Sequence, residues 1–369
     1  MILCANPMEQ FQAHQEEIEA AVLRVMRGNS YILGPEVEAL EKEFAEYIDT
    51  SHAIGVGNGT DAIEIALRAL QIGHGDEVIT VSHTAVATVA AIESVGATPV
   101  LVDIDPKFYT LNPAQLTDVS SKKTKAVIAV HLYGQPAEMD LVQRFCQQYS
   151  LALIEDVSQA HGSTWKGKRL GSIGDIGCFS CYPTKNLGAI GDAGLITTNN
   201  DDLAKKAKGL RAYGWVKNNY ISEFPGRNSR IDELQAAILR VKLKYLDHSN
   251  THREKIANHY RSELSNISKL SLPEVRSGVK HVYHQFVVES DMRNELKQFL
   301  QSHDVLAGIH YPVPVHLQPS YNKKIQCHND MRVTEEAKNK ILSLPIYPEL
   351  DRVAQEKVID LIRSFFNDQ

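Results

Sequence analysis

One lysine of this chain stands in unusual company. Residues 179–194 read FSCYPTKNLGAIGDAG, so Lys185 lies between a hydroxyl-bearing turn and a glycine-rich turn. Burial disfavours an ammonium and frees the amine for attack on a carbonyl, so a lysine held in such a turn is read as a nucleophile carrying a Schiff base. A solvated, structural lysine is the alternative that this turn alone leaves open.

Three other places supply matching chemistry. Gly55-Val56-Gly57-Asn58-Gly59-Thr60-Asp61-Ala62 joins a strand to a helix. Free amides and the dipole at a helix N-terminus bind phosphate without basic side chains. A tight turn with Thr60 as N-cap and nothing bound is the competing reading. A dinucleotide site is disfavoured, because the glycines run G-x-G-x-G rather than G-x-G-x-x-G. Asp156 follows an apolar strand in Ile154-Glu155-Asp156-Val157-Ser158-Gln159, where a carboxylate needs a partner. A helix cap or an arginine would satisfy it, and so would a protonated pyridine nitrogen. Ser180, shortly before Lys185, offers a hydroxyl to a phosphate. Together these groups match the needs of pyridoxal 5′-phosphate (PLP): phosphate anchor, pyridinium partner and Schiff-base amine. His83 is placed to lay its ring against the cofactor face, although a lone histidine is more often structural.

The elements that must position these residues alternate. Residues 36–48 carry Val37, Leu40, Phe44 and Tyr47 at helical spacing behind Gly34-Pro35, the pattern of a helix with proline in its first turn. Strands are expected at 53–56, 77–81, 99–103, 125–130 and 151–154, with helices at 61–70, 84–95 and 139–149 between them. Short apolar strands alternating with amphipathic helices point to a large, mixed, mainly parallel α/β sheet covered on both faces, with ligands at the carboxyl ends of its strands. Further on, 194–198 reads as a strand and 201–211 and 231–245 as helices. Beyond them come helices at 253–262, 295–303 and 353–366 and a strand at 285–288. The expected division is a large α/β domain, residues 1–246, and a smaller C-terminal α+β domain, residues 247–369.

Composition narrows the partners. The chain has 369 residues, is 43% hydrophobic and 23% charged, and carries a net charge of −6, which leaves no broad basic surface for nucleic acid or an anionic membrane. No window approaches the apolar length of a membrane helix, and the N-terminal residues lack a basic stretch followed by an apolar run. The five cysteines suggest a reducing compartment, and the reading is cytoplasmic. Cys178-Phe179-Ser180-Cys181 matches C-x-x-C but has no second pair for zinc, so a packed strand end is expected there and no metal.

With these motifs in place, the chain resembles the DegT/DnrJ/EryC1/StrS family of nucleotide-sugar aminotransferases over nearly its whole length. The resemblance is carried by Tyr31-Ile32-Leu33-Gly34-Pro35-Glu36-Val37, Gly57 to Ala62, Glu155-Asp156 through His161-Gly162, Tyr182-Pro183-Thr184-Lys185-Asn186-Leu187-Gly188, and residues 228–237, NSRIDELQAA. It implies the aspartate-aminotransferase fold (fold type I) and a homodimer with active sites at the subunit interface. By position, it implies Lys185 as the Schiff-base lysine, Asp156 as partner of the pyridine nitrogen and Gln159 beside the ring hydroxyl. Gly59, Thr60 and Ser180 match phosphate binders, and Asn228 matches a phosphate contact from the neighbouring subunit. His83 departs from the family's phenylalanine or tyrosine, and a charged imidazolium there would disfavour a cationic cofactor.

The resemblance also bears on the reaction. Dehydratase relatives carry histidine in place of the lysine, so retention of Lys185 implies amino transfer, with Lys185 moving the proton between substrate carbon and cofactor carbon. The implied donor is L-glutamate and the acceptor a nucleotide-linked keto-sugar. The motifs look most like the subgroup acting at sugar C-3, which favours a dTDP-3-keto-6-deoxyhexose giving the dTDP-3-amino-3,6-dideoxyhexose. A UDP-linked 3-keto sugar and a C-4 keto-sugar are the alternatives, and a non-catalytic PLP or sugar-nucleotide sensor is a further one. His310-Tyr311-Pro312-Val313-Pro314-Val315-His316 resembles the substrate-side loop, with Tyr311 and His316 as expected substrate contacts, unless the loop is a structural connection. Arg211, Tyr213 and Arg230 lie in segments near the site, without assigned roles.

Overall fold

The computed structural model describes residues 1–217, 220–322, 324–328 and 331–367. A short helix (Pro7–Gln12) opens the chain and is followed by α1 (Gln15–Met26) and α2 (Pro35–Ile48). Pro35 stands in the first turn of α2, and Val37, Leu40 and Phe44 lie on its buried face as the spacing predicts, joined by Ile48, whereas Tyr47, expected on that face, is half-buried. The alternating region then runs β1 (His52–Val56), α3 (Gly59–Ala69), β2 (Glu77–Val81), α4 (Val86–Ser94), β3 (Thr98–Val102), β4 (Thr124–Val130), α5 (Met139–Tyr149), β5 (Ala152–Asp156), β6 (Ile176–Ser180), β7 (Gly194–Thr198) and α6 (Asp201–Leu210).

The strands form an eight-stranded sheet in the order β1-β7-β6-β5-β4-β2-β3, closed at its far edge by β9 (Gln326–Cys327). Neighbours are parallel except that β7 runs against both β1 and β6. Because buried strands in such a sheet have helices on both faces, they read as continuous apolar runs; four of the five residues of β1, β2 and β3 are buried. The strand order reverses between β4 and β2, so the carboxyl ends of β2, β4, β5 and β6 gather beside this switch point, the usual crevice for a ligand. His83, His131, Asp156 and Ser180 stand at or just beyond those ends.

After β7 and α6 the chain enters α7 (Glu233–Leu243) and α8 (Leu246–Leu264). The predicted helix over 231–245 is therefore shorter, and the one predicted over 253–262 is the second half of a longer helix. A second hydrophobic core is built from Ile256, Tyr260, Phe286, Leu296, Ile359 and Ile362 with their neighbours. It joins α8 to α9 (Arg293–Ser302), to the antiparallel pair β8 (Phe286–Glu289) and β10 (Ile341–Leu344), and to α11 (Arg352–Asn367), with α10 (Arg332–Lys340) preceding β10. A division at residue 246 is crossed in both directions. Ile2 packs in this second core and pairs with Val305, whereas β9 returns to the edge of the large sheet.

Candidate functional site

The crevice at the switch point opens into a cavity of about 480 Å³ whose lining includes Gly59, Thr60, Asp156, Gln159, Ser180 and Lys185. Six residues chosen from sequence for one cofactor thus share one space.

Its anion-binding end is the start of α3. Asn58, in extended conformation, is the N-cap, and its Oδ1 accepts the Asp61 amide at 2.8 Å. Thr60 is therefore not the cap, contrary to one reading of the turn. The amides of Gly59 and Thr60 fall in the first turn, where no carbonyl four residues earlier can take them, and both residues line the cavity. A Cβ on Gly59 would lie 2.5 Å from the Ser180 Cβ. Only glycine lets the helix end and the Ser180 hydroxyl come this close. This cradle of free amides plus a hydroxyl fits a phosphate.

Asp156 closes β5 and is buried. Its Oδ2 accepts from the Thr88 hydroxyl at 2.9 Å and its Oδ1 from the Ser158 amide at 3.2 Å. These neutral donors leave lone pairs free towards the cavity, where a ring N–H would find them. Thr88, on α4, was missed by the sequence reading; its only signal is its position one helical turn after Thr84. Gln159 Oε1 accepts the Tyr133 amide at 2.8 Å and its Nε2 donates to the Tyr311 hydroxyl at 3.0 Å, so the two residues expected from sequence on the cofactor and substrate sides touch directly.

Lys185 sits in a turn closed on itself. Its amide donates to the Tyr182 carbonyl, Ala189 to Cys181, and Cys181 to Ala193, each at 2.8 Å. Helix α7 holds the far end: Gln235 Oε1 accepts the Ile190 amide and Lys242 Nζ donates to the Gly188 carbonyl. Burial pulls the Lys185 pKa down to about 8, against upward pulls from Asp156 and Cys181. Cys178 and Cys181 are buried free thiols at the end of β6, both pushed up by burial, Cys181 to about 12. The C-x-x-C spacing is that of a packed strand end.

Two expected contacts, His83 and His316, are engaged elsewhere. The His83 ring is fully buried against Tyr133 and Tyr109, with Nε2 2.7 Å from the Tyr133 hydroxyl, rather than among the cavity-lining residues. The Tyr133 hydroxyl donates to the His310 carbonyl, so His83 Nε2 must be the donor and the unpartnered Nδ1 an acceptor. Burial lowers its pKa to about 4, so the ring is neutral, not the imidazolium that would oppose a cationic cofactor. His316 is a strut: Nδ1 is 2.6 Å from Ser82 Oγ, and Nε2 is 3.2 Å from Glu335 Oε1. Asn228, expected at the phosphate of the neighbouring subunit, is exposed and outside the lining of its own cavity. Its neighbours are pinned, Arg227 to Asp61 and Glu64, and Ser229 to Asp61 and the Gly57 amide.

The family model of DegT/DnrJ/EryC1/StrS aminotransferases matches residues 12–363. The chain belongs to this family. It is 43% identical to the dTDP-3-amino-3,6-dideoxy-alpha-D-galactopyranose transaminase of Aneurinibacillus thermoaerophilus over 95% of this chain and 96% of that one. It is 40% identical to the UDP-N-acetyl-3-dehydro-alpha-D-glucosamine 3-aminotransferase of Acidithiobacillus ferrooxidans, over 97% of each chain. The crystal structure of DesV from S. venezuelae in complex with a ketimine intermediate superposes with a TM-score of 0.96 at 40% identity, over 99% of this chain and 98% of that one. The protein is thus a PLP-dependent aminotransferase of the type I fold, and its own residues fit that cofactor: the α3 N-terminus and Ser180 for the phosphate, Asp156 for the ring nitrogen and Lys185 for the carbonyl carbon.

Proposed function

We propose that this enzyme moves an amino group from L-glutamate to C-3 of a nucleotide-linked keto-sugar, a dTDP-3-keto-6-deoxyhexose, giving the dTDP-3-amino-3,6-dideoxyhexose. The observation that carries the reading is Lys185, an amine with its pKa lowered to about 8, in one cavity with Asp156 and the free amides of α3. PLP, when bound, supplies an electron sink for the charge left when a proton leaves the substrate carbon. The chain's own task is to move that proton. With a pKa near 8, roughly a tenth of a free Lys185 amine is unprotonated at pH 7, and its conjugate acid is strong enough to return the proton. Asp156, which lines the cavity, would pair with the ring nitrogen, and Tyr311, held by Gln159, would offer a hydroxyl to the sugar.

The C-3 position and the dTDP carrier are supported by the 43% identical Aneurinibacillus relative and by the resemblance of residues 182–188 and 228–235 to the C-3 subgroup. A UDP-linked 3-keto sugar is the second reading, favoured by the Acidithiobacillus relative. We also infer a homodimer. Tyr31, Ile32, Ile190 and Leu234 are exposed and lie together, since Ile32 bridges Asp232 and Ile190 rests on Gln235. A second copy covering this apolar surface beside the Lys185 turn would bring Asn228 towards the partner's phosphate cradle. Five free thiols suit a cytoplasmic setting.

The test is incubation of the PLP-loaded protein with L-glutamate and a panel of dTDP- and UDP-linked 3-keto and 4-keto sugars, with products identified by mass spectrometry and NMR. Amination at C-3 of the dTDP-3-keto-6-deoxyhexose is the expected result. Amination only at C-4, or only of UDP-sugars, overturns the substrate assignment. Loss of the visible absorbance with glutamate separates an aminotransferase from a sensor, which would keep it.

A further inference from the structure

Asn186, the residue after Lys185, is buried, and its carboxamide is fully used. Nδ2 donates to the Val282 carbonyl at 3.0 Å and to Asn250 Oδ1 at 2.8 Å, while Oδ1 is 3.1 Å from His284 Nδ1. A carbonyl only accepts, so Val282 fixes which way the Asn186 amide faces, and His284 must donate from Nδ1. Asn250 is 1% exposed and uses its other end on the opposite flank of the site: Nδ2 donates to the His161 carbonyl at 2.8 Å. His161 follows Gln159 by two residues in the loop that begins at Asp156. One turn further along α8, Arg253 donates to the carbonyls of Tyr283, at 3.3 Å, and Ile346, at 2.9 Å. It thereby holds residues 282–284 against Asn186. Gly162, at φ 83°, leaves no room for a side chain beside this bridge, because a Cβ there would lie 2.7 Å from Asn250 Nδ2.

We propose that Asn250 is a positioning residue for Lys185: its buried carboxamide, through Asn186 on one side and the His161 carbonyl on the other, sets the distance between the lysine turn and the Asp156–Gln159 loop. This rests on the reading of Lys185 as the cofactor-bearing amine. Asn250 belongs to neither loop, and its helix is anchored in the second core through Ile256 and Tyr260. The register of the amine against the ring-nitrogen partner is therefore imposed from outside the sheet. In a buried network whose two carboxamides are each paired at both ends, deleting one leaves its partners unpaired, and the loops must move to repair them. A shift of about 1 Å in such a site is enough to cost roughly a hundredfold in rate.

The experiment uses PLP-loaded wild type, Asn250→Ala, Asn186→Ala and the double variant. Borohydride reduction and peptide mapping of the wild type come first; cofactor mass on a residue other than Lys185 would sink the underlying reading, whatever the variants do. With Lys185 confirmed, three quantities are read: the pH titration of the visible chromophore, the single-turnover rate with L-glutamate, and Tm. The groups acting on Lys185 in that titration are Asp156, Cys181, His161, His284 and His310; both substitutions retain these residues, and Asn186→Ala in addition removes the acceptor of His284 Nδ1. Each single variant should slow the turnover roughly ten- to hundredfold, with the KM for glutamate within about threefold, and should move the chromophore transition by roughly half a pH unit or more. The double variant should be no slower than the worse single, because both remove one bridge. Lowered Tm with wild-type rate and titration, or additive losses, would make the network merely structural. Should Asn250→Ala fail to fold, Asn186→Ala removes the same bridge from the other side and is read alone.

Discussion

The Tyr311 hydroxyl accepts a hydrogen bond from Gln159 Nε2 at 3.0 Å. Gln159 cannot turn over, because its Oε1 holds the Tyr133 amide. Tyr311 meets the cavity lining through Gln159 rather than lining it itself, and its own proton remains for another acceptor. Burial, with Asp156 adding to it, pushes the phenol up to about 12, so it remains a donor throughout the neutral range. Tyr311→Phe should raise the KM for the keto-sugar about tenfold, the loss of one hydrogen bond to a bound ligand, while PLP retention stays within about threefold. Steady-state kinetics with both substrates will decide this. An unchanged sugar KM would remove Tyr311 from the substrate side.

Lys185 has its proton affinity lowered by burial, from 10.5 to about 8. The neutral amine therefore dominates above about pH 8, and below that its fraction falls about tenfold per pH unit. Capture of PLP by the apoprotein should follow the same curve, rising through pH 8 and levelling above it. Stopped-flow absorbance will show the midpoint, and Lys185→Ala should show no capture. A midpoint near 10 would mean that the amine is not desolvated.

Gly59→Ala tests the phosphate cradle. The added methyl meets the Ser180 side chain at 2.5 Å, so either the first turn of α3 or the end of β6 must retreat. Overpacking of this kind costs about 1–3 kcal/mol, and here it also spreads the amides and hydroxyl that hold the phosphate. Equilibrium dialysis should find PLP affinity down at least roughly tenfold, since two hydrogen-bond donors lose their aim. Wild-type affinity would show that the phosphate sits elsewhere.

That Lys185, Asp156 and the turn at Gly59 share one cavity was legible in the sequence because each stands at a strand end or loop whose chemistry is local, whereas Gln159 was indicated by the family resemblance alone. The alternation of β1 to β5 with its helices was legible for the same reason, as apolar runs and helical spacing are short-range patterns. What escaped was set by partners far along the chain. His83 turns away from the cavity because Tyr133, fifty residues on, takes its Nε2, and His316 is spent on Ser82. Asn58 rather than Thr60 caps α3, since either residue has the chemistry and only the path of the chain decides which oxygen reaches the Asp61 amide. Asn250 carries no local signal at all: it reads as one polar residue on an amphipathic helix, and its meaning depends on three segments meeting it.

Lys242 offers a measurement independent of catalysis. It is buried, donates to the Gly188 carbonyl at 2.8 Å, and has its pKa lowered by burial from 10.5 to about 8, with Glu349 opposing the shift. The unfolded chain keeps this proton up to about pH 10.5 and the folded chain only to about pH 8. Between those values the unfolded state binds more protons, so the residue's contribution to stability improves as pH rises; below pH 8 the fold bears the full cost of a buried charge. That cost is on the order of 3 kcal/mol at most. Lys242→Met abolishes it, so the stability of the variant relative to wild type should be greatest near pH 7 and decline towards pH 10. The cysteine, tyrosine and Lys185 titrations are common to both proteins and cancel in the difference. Urea unfolding at pH 7, 8.5 and 10 will show the trend, and a difference that stays flat or grows with pH would mean that Lys242 is not a buried cation in the folded protein.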